Sequence, residues 1–180
     1  NAQLDTLVST GGVNASLIGR KFLFNNVSST STEIFNSQDI NTVFIATRHD
    51  THARFVIDSI NASKNVFVEK PLAISQEELD LIKQSIEENP QSKDLHIMVG
   101  FNRRFAPQIQ KVKSLLDSVV EPKSFIMTMN AGFKESSDWT QNPETGGGRI
   151  IGEACHYIDL MRFLASSKIV DVSARCMGNN

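Results

Sequence analysis

Short runs of β-branched and aromatic residues alternate, along the first hundred positions, with segments whose apolar residues recur every three or four places. Residues 4–9 alternate and then run apolar into Thr10-Gly11-Gly12, a strand followed by a turn. Residues 13–21 predict a helix with Val13, Leu17 and Ile18 on one side, and with Arg20 and Lys21 near its end, where cations suit the helix dipole. A polar piece over residues 28–32 leads to a turn of helix around Ile34 and Phe35. Thr42-Val43-Phe44-Ile45-Ala46-Thr47 reads as a strand buried on both faces. Asp50 or Thr51 then caps a helix whose apolar face holds Ala53, Phe55, Val56 and Ile60. Val66-Phe67-Val68 is a third strand. Ser75 and Glu78 form a capping box for a helix carrying Leu79, Leu81, Ile82 and Ile86, which stops at Asn89-Pro90. Residues 95–99 make a short fourth strand. Strict alternation of strand and helix predicts a parallel sheet with right-handed crossovers.

The pattern changes after Gly100, where Phe101-Asn102-Arg103-Arg104-Phe105-Ala106-Pro107 reads as a junction into a second unit. Ile109, Val112, Leu115, Leu116 and Val119 give a helical period, and residues 123–131 alternate as a long strand. A polar loop with Trp139 follows. Gly146-Gly147-Gly148 then opens a helix with Ile150, Ile151, Ala154, Cys155, Ile158 and Met161 as its buried stripe, and residues 169–176 read as a last strand. Two strands with so little helix cannot close a core, so this unit reads as C-terminally incomplete. The fold class expected is α/β: a truncated Rossmann-type parallel sheet over residues 1–99, then the start of a mixed α/β domain with an open-faced sheet over residues 100–180.

Composition narrows the function classes. A formal charge of −2 over 180 residues, with no basic run and no aromatics interleaved with arginines, argues against a nucleic-acid partner. No apolar stretch is long enough to span a bilayer and no signal-peptide pattern opens the chain, so a cytoplasmic protein is expected. Cys155 and Cys176 lack metal-type spacing and read as reduced core residues. No metal site is expected.

Chemistry-bearing residues fall in four clusters. In parallel sheets ligands bind outside the carboxyl ends of strands. Thr47-Arg48-His49 and Glu69-Lys70-Pro71 both stand at such ends. His49 and His52 diverge at their turn and have no acidic or cysteine partner for a metal; capping accounts for Asp50 and Thr51, leaving Arg48 and His49 as cofactor contacts. A lysine works as acid or base near neutral pH only when burial or a cation lowers its pKa, so Glu69 should point away from a catalytic Lys70. Asn102, Arg103 and Arg104 open a helix where positive charge is unfavourable, which calls for a partner: a carboxylate of the second unit, or a cofactor or substrate oxygen. Arg149, Glu153, His156 and Asp159 follow at three- and four-residue spacing along one polar helix edge, where a carboxylate can hold a histidine's tautomer for proton transfer. Trp139, the only tryptophan, can stack on a sugar ring or anchor a loop.

Ala46-Thr47 with the loop after it, Val68-Glu69-Lys70-Pro71-Leu72-Ala73, Gly100-Phe101-Asn102-Arg103-Arg104-Phe105, and Gly147-Gly148 leading to His156-Tyr157-Ile158-Asp159 together resemble the glucose-fructose oxidoreductase and inositol dehydrogenase (Gfo/Idh/MocA) family. The string from Gly146 to His156 is most similar to the module of bi-domain oxidoreductases. The resemblance covers essentially the whole chain. It implies an NAD- or NADP-dependent oxidoreductase moving a hydride at a sugar, cyclitol or nucleotide-sugar hydroxyl, and commonly a homo-oligomer. Lys70 and His156 are implied as the acid-base and orienting groups at the substrate hydroxyl; Glu153 is the catalytic candidate to take over the family's carboxylate role, the alternative being a different proton relay. Cofactor contacts are placed at Ser9, Thr47, Arg48, His49, Glu69, Pro71, Asn102 and Arg103, and substrate contacts at Trp139, Arg149 and Asp159; a cis bond before Pro71 is implied as well. Two departures stand out. No GxGxxG occurs in these 180 residues, so the chain reads as beginning at the second strand of such a fold, without the first strand and glycine loop. Gly152 stands four residues before His156, where many members have aspartate, with Glu153 beside it. Ser9-Thr10-Gly11-Gly12 offers no acid to a ribose hydroxyl, which leaves both dinucleotides open. Two other readings are carried alongside: glycoside elimination or hydrolysis without net redox change, and a non-catalytic dinucleotide-sensing scaffold.

Overall fold

The computed structural model describes residues 2–11 and 13–176. Gly12, part of the expected first turn, and the end of the chain from position 177 lie outside the described residues. The backbone divides into two compact units, Asn1–Gly100 and Phe101–Asn180.

Among the described residues the first unit has five parallel strands in two sheets. Strands β1 (Thr6–Val8) and β2 (Asn26–Ser28) pair in register Leu7 to Val27, with helix α1 (Val13–Lys21) between them in sequence. The face α1 turns inward is Ala15 and Gly19, while the expected Val13, Leu17 and Ile18 are exposed. Gly19 explains the choice, since a Cβ there would lie 2.4 Å from Val27 Cγ2. Small residues let the helix seat directly on β2. The sequence pattern predicts no strand over residues 26–28, because three residues with a single apolar position, Val27, carry almost no alternation.

A short helix α2 (Thr32–Asn36) leads to the second sheet, ordered β3 (Thr42–Ile45), β4 (Asn65–Val68) and β5 (Ile97–Val99). Helices α3 (His52–Asn61) and α4 (Gln76–Glu88) connect these strands. Val43, Ile45, Val66 and Val68 alternate onto one face and bury against Ala53, Val56, Ile60 and Ile82, with Ile97 and Val99 packed at the margin. Burying each such side chain stabilises the fold by about 1.5–3 kcal/mol, so this cluster holds the unit together. Phe44, Phe67 and Met98 share the other face in register; the two rings stack at 5.3 Å, and Phe44 is exposed.

The local signals for α4 act as expected. Ser75 Oγ accepts the Glu78 N–H at 3.2 Å, and the Glu78 carboxylate reaches back to the N–H of Ile74 at 2.7 Å. By contrast, neither Asp50 nor Thr51 caps α3 with its side chain. Residues His49–Thr51 wind into a 3₁₀ turn instead, and the Thr51 hydroxyl donates to Arg48 O. Beyond α3, buried Lys64 donates to Ser37 O at 2.7 Å and Ile40 O at 2.6 Å, tying the loop before β3 to the helix end. Burial pushes that ammonium below the usual lysine range.

In the second unit a 3₁₀ turn (Asn102–Phe105) precedes α5 (Pro107–Asp117), and α6 (Cys155–Ala165) follows a π-helical segment, Ile150–Ala154. The strands expected over residues 123–131 and 169–176 are not formed. Alternation needs a neighbouring strand to complete its hydrogen bonds, and the described residues of this unit offer none. The expected buried stripe is corrected too. Ile150, Ile151 and Ile158 are exposed, and Gly152, Asp159, Leu160 and Leu164 are buried. A π segment widens the turn, so an α-helical count started at Ile150 lands on the wrong face beyond it. Cys176 is exposed rather than in a core. No helix among the described residues is long and apolar enough to cross a membrane.

Candidate active site

Parallel pairing brings the carboxyl ends of β3, β4 and β5 side by side. Glu69 N–H donates to Ile45 O and Gly100 N–H to Val68 O, each at 2.8 Å, so the backbone pairing continues one residue past β4 and β5. The residues that follow these strands are Thr47-Arg48-His49, Lys70-Pro71 and Phe101. Two of the clusters singled out from the sequence thus share one sheet edge.

Each member is positioned by a specific contact. The Lys70–Pro71 peptide is cis, as the family resemblance implies. Glu69 lies over Gly100: a Cβ on Gly100 would fall 3.1 Å from Glu69 Oε2 and 3.3 Å from Glu69 Cα. Only glycine lets β5 end this close to the β4 turn. Thr47 and Thr51 exchange a hydroxyl hydrogen bond of 2.6 Å, and His49 is buried with its ring 5.7 Å from that of His52. At the edge of the other sheet, Ser9 Oγ accepts the Gly11 N–H at 3.1 Å.

The sequence undervalued His52 and Asp50. His52 is 0% exposed, and its Nδ1 and Nε2 lie 2.7 Å from Pro71 O and 3.0 Å from Thr47 O, which leaves neither nitrogen for a metal. Its place on the buried face of α3, four residues before Val56, was the available signal. Asp50, read as a cap, instead carries a buried Oδ1 with no hydrogen-bond partner among the described residues. Such an oxygen suits a hydroxyl donor supplied from outside the protein.

The second unit groups its polar residues around the start of α6. Arg104 Nε donates to Asp159 Oδ2 at 2.6 Å and its Nη2 to Oδ1, forming a two-pronged pair. Hydrogen bonding to Asp159 raises the Arg104 guanidinium further above its ordinary range. Arg104 thereby finds the carboxylate partner its position calls for, while Arg103 stacks over the Tyr157 ring at 4.5 Å and Asn102 is exposed. Arg149 pairs with Glu153 at 3.2 Å and donates to Gly132 O and Ala131 O, clasping the loop before the π segment. His156 meets the Phe101 ring edge-on at 6.2 Å.

Trp139 sits on a braced turn. Asp138 accepts from the Thr140 hydroxyl, the Thr140 N–H and Lys134, and these bonds, the hydroxyl foremost, hold its carboxyl down to about 2. Thr145 donates to Trp139 O at 3.1 Å.

Comparison with known proteins identifies the family. Residues 1–101 match the family model of the GFO_IDH_MocA oxidoreductase family with NAD-binding Rossmann fold, and residues 109–179 match the GFO/IDH/MocA C-terminal domain. A 1-carboxy-3-chloro-3,4-dihydroxycyclo hexa-1,5-diene dehydrogenase of Comamonas testosteroni is 31% identical over 140 residues, covering 76% of this chain and 34% of its own length. A myo-inositol 2-dehydrogenase of Thermotoga maritima is 26% identical over 146 residues, covering 79% of this chain and 41% of its own. A solved levoglucosan dehydrogenase in complex with NADH superposes with a TM-score of 0.74 at 25% identity, over 91% of this chain and 45% of that one. The chain therefore spans less than half the length of these relatives, and by its matches along both units it belongs to the Gfo/Idh/MocA family of oxidoreductases.

Proposed function

We propose that the protein carrying this chain is an NAD(P)-dependent dehydrogenase that oxidises a secondary hydroxyl of a sugar, cyclitol or nucleotide sugar. The observation that carries the reading is the shared edge of β3, β4 and β5, where Thr47 and Lys70-Pro71 stand in adjacent strand-end turns. The residues fit a dinucleotide. Parallel strand ends bind such ligands, and Asp50 Oδ1 is a buried acceptor in need of a hydroxyl. Thr47, Arg48, His49, Glu69 and Pro71 would hold the cofactor from this edge; Ser9, Asn102 and Arg103 are the further contacts proposed. When bound, the nicotinamide supplies the hydride acceptor. The sugar or cyclitol class follows the relatives named as dehydrogenases of such compounds.

In this reading the Lys70 amine takes the proton from the substrate hydroxyl as its carbon is oxidised. Glu69, lying over Gly100, shapes the turn that presents the lysine. On the second unit His156 is the proposed partner in proton transfer, and Trp139 and Arg149 are proposed substrate contacts. Glu153 and Asp159 are engaged by Arg149 and Arg104, which favours a supporting role for both carboxylates.

The test is the full-length protein, offered NAD+ or NADP+ with a panel of cyclitols, sugars and nucleotide sugars, followed by absorbance of reduced cofactor and by mass spectrometry. A product lighter by two hydrogens, with matching cofactor reduction, is expected. An eliminated or hydrolysed product without net cofactor reduction overturns the dehydrogenase reading, and cofactor binding without turnover points to a sensing scaffold.

A further inference from the structure

Resting on that reading of Lys70, we infer that His52 is a positioning residue that sets the Lys70 turn through the backbone of Pro71. His52 is the most deeply buried ionisable side chain among the described residues. Its ring bridges two strand-end turns, with Nδ1 2.7 Å from Pro71 O and Nε2 3.0 Å from Thr47 O.

The chemistry of the partners gives the ring its role. Both are carbonyl oxygens, which only accept, so the contact with Pro71 requires a proton on Nδ1. A neutral ring satisfies one carbonyl and an imidazolium both. Glu69 N–H is tied to Ile45 O and Ile74 N–H to the Glu78 carboxylate. Between those ties Pro71 has no N–H to donate, and its carbonyl is held by His52. A bland core histidine would bury its ring with one nitrogen on its own helix. Here both nitrogens lie within hydrogen-bond distance of carbonyls in the two turns that flank the proposed site.

Three measurements on the full-length protein test this role of His52. In wild-type protein labelled with ¹⁵N-histidine, Nδ1 of His52 should show a bound, slowly exchanging proton; an Nδ1 lone pair overturns the inference without any variant. His52→Phe keeps a ring in the cavity and removes both ring nitrogens. It should lower kcat at least 10-fold with KM changed less than 3-fold, and should change the rate of amine labelling at Lys70, read by mass spectrometry, at least 3-fold against the exposed Lys83. His52→Gln, which restores a donor, should recover part of both effects. Unchanged Lys70 labelling and kcat in folded His52→Phe overturn the inference. If His52→Phe fails to fold, His52→Gln and the ¹⁵N measurement still decide. Full turnover in Lys70→Ala would remove the catalytic reading of Lys70, yet the labelling and ¹⁵N results would still judge whether His52 sets this turn.

Discussion

Asp159→Asn separates a structural from a substrate-binding role for the polar edge of α6. The side chains of Asp159 and Arg104 are 8% and 31% exposed, so the pair lies between a surface ion pair and a fully buried one. Surface pairs contribute about 0.2–1 kcal/mol, whereas removing one partner of a buried pair costs about 3–5 kcal/mol. Between those limits, Asp159→Asn should cost about 2–3 kcal/mol, because a neutral amide meets a guanidinium that has lost both carboxylate contacts. For a cooperative unit of 60–100 residues each kcal/mol lowers Tm by about 4–8 °C, which predicts a fall of roughly 10–20 °C in the transition that includes α6. Thermal unfolding followed by circular dichroism, with hydrogen exchange of the α6 amides, reads this directly. Replacing both partners with apolar residues, Arg104→Met with Asp159→Leu, should recover much of the loss, since no charge is then left without its partner. A Tm within about 1 °C of wild type, with kcat/KM reduced, would refute the structural assignment and return Asp159 to the substrate.

Other consequences follow from single contacts. Gly100→Ala places a methyl 3.3 Å from Glu69 Cα, so it should cost about 1–3 kcal/mol and weaken NADH binding in a titration; a neutral substitution would mean the strand ends are less tightly apposed. The Asp138 carboxyl, held at about 2 by Thr140 and Lys134, should titrate there by ¹³C NMR rather than near 4. Its folded value is depressed, so its contribution to stability is full above the ordinary aspartate range and is lost as pH falls toward 2. Thr140→Val should raise that midpoint; an unchanged midpoint would show that the hydroxyl is not the main cause.

How much of this was legible from sequence depends on the range of the interactions. The β3–α3–β4–α4–β5 run was readable because each element carries its own signal: apolar runs for strands, the Ser75 and Glu78 pair for a helix start, Asn89-Pro90 for its end. The Glu69-Lys70-Pro71 turn was readable because it interrupts an apolar strand with charge. What escaped depends on partners distant in the chain. Nothing near His52 announces that its ring reaches the carbonyl of Pro71, nineteen residues on. Gly19 reads as a weak helix residue until Val27 is seen against it. The π segment before α6 has no local signature, so a period counted from Ile150 put the buried stripe on the wrong residues. Residues 123–131 and 169–176 alternate like strands, but a strand is completed by its neighbour, and alternation cannot supply one.

Lys70, at the end of β4, is the proposed carrier of the proton in dehydrogenation. This role is tested most directly by single-turnover hydride transfer in full-length Lys70→Ala, with and without an added small primary amine. The expected result is NADH affinity within about 3-fold of wild type, hydride transfer slowed by about 100-fold or more, and partial recovery when the amine is supplied. Hydride transfer at the wild-type rate in Lys70→Ala, with the cofactor bound, would contradict it.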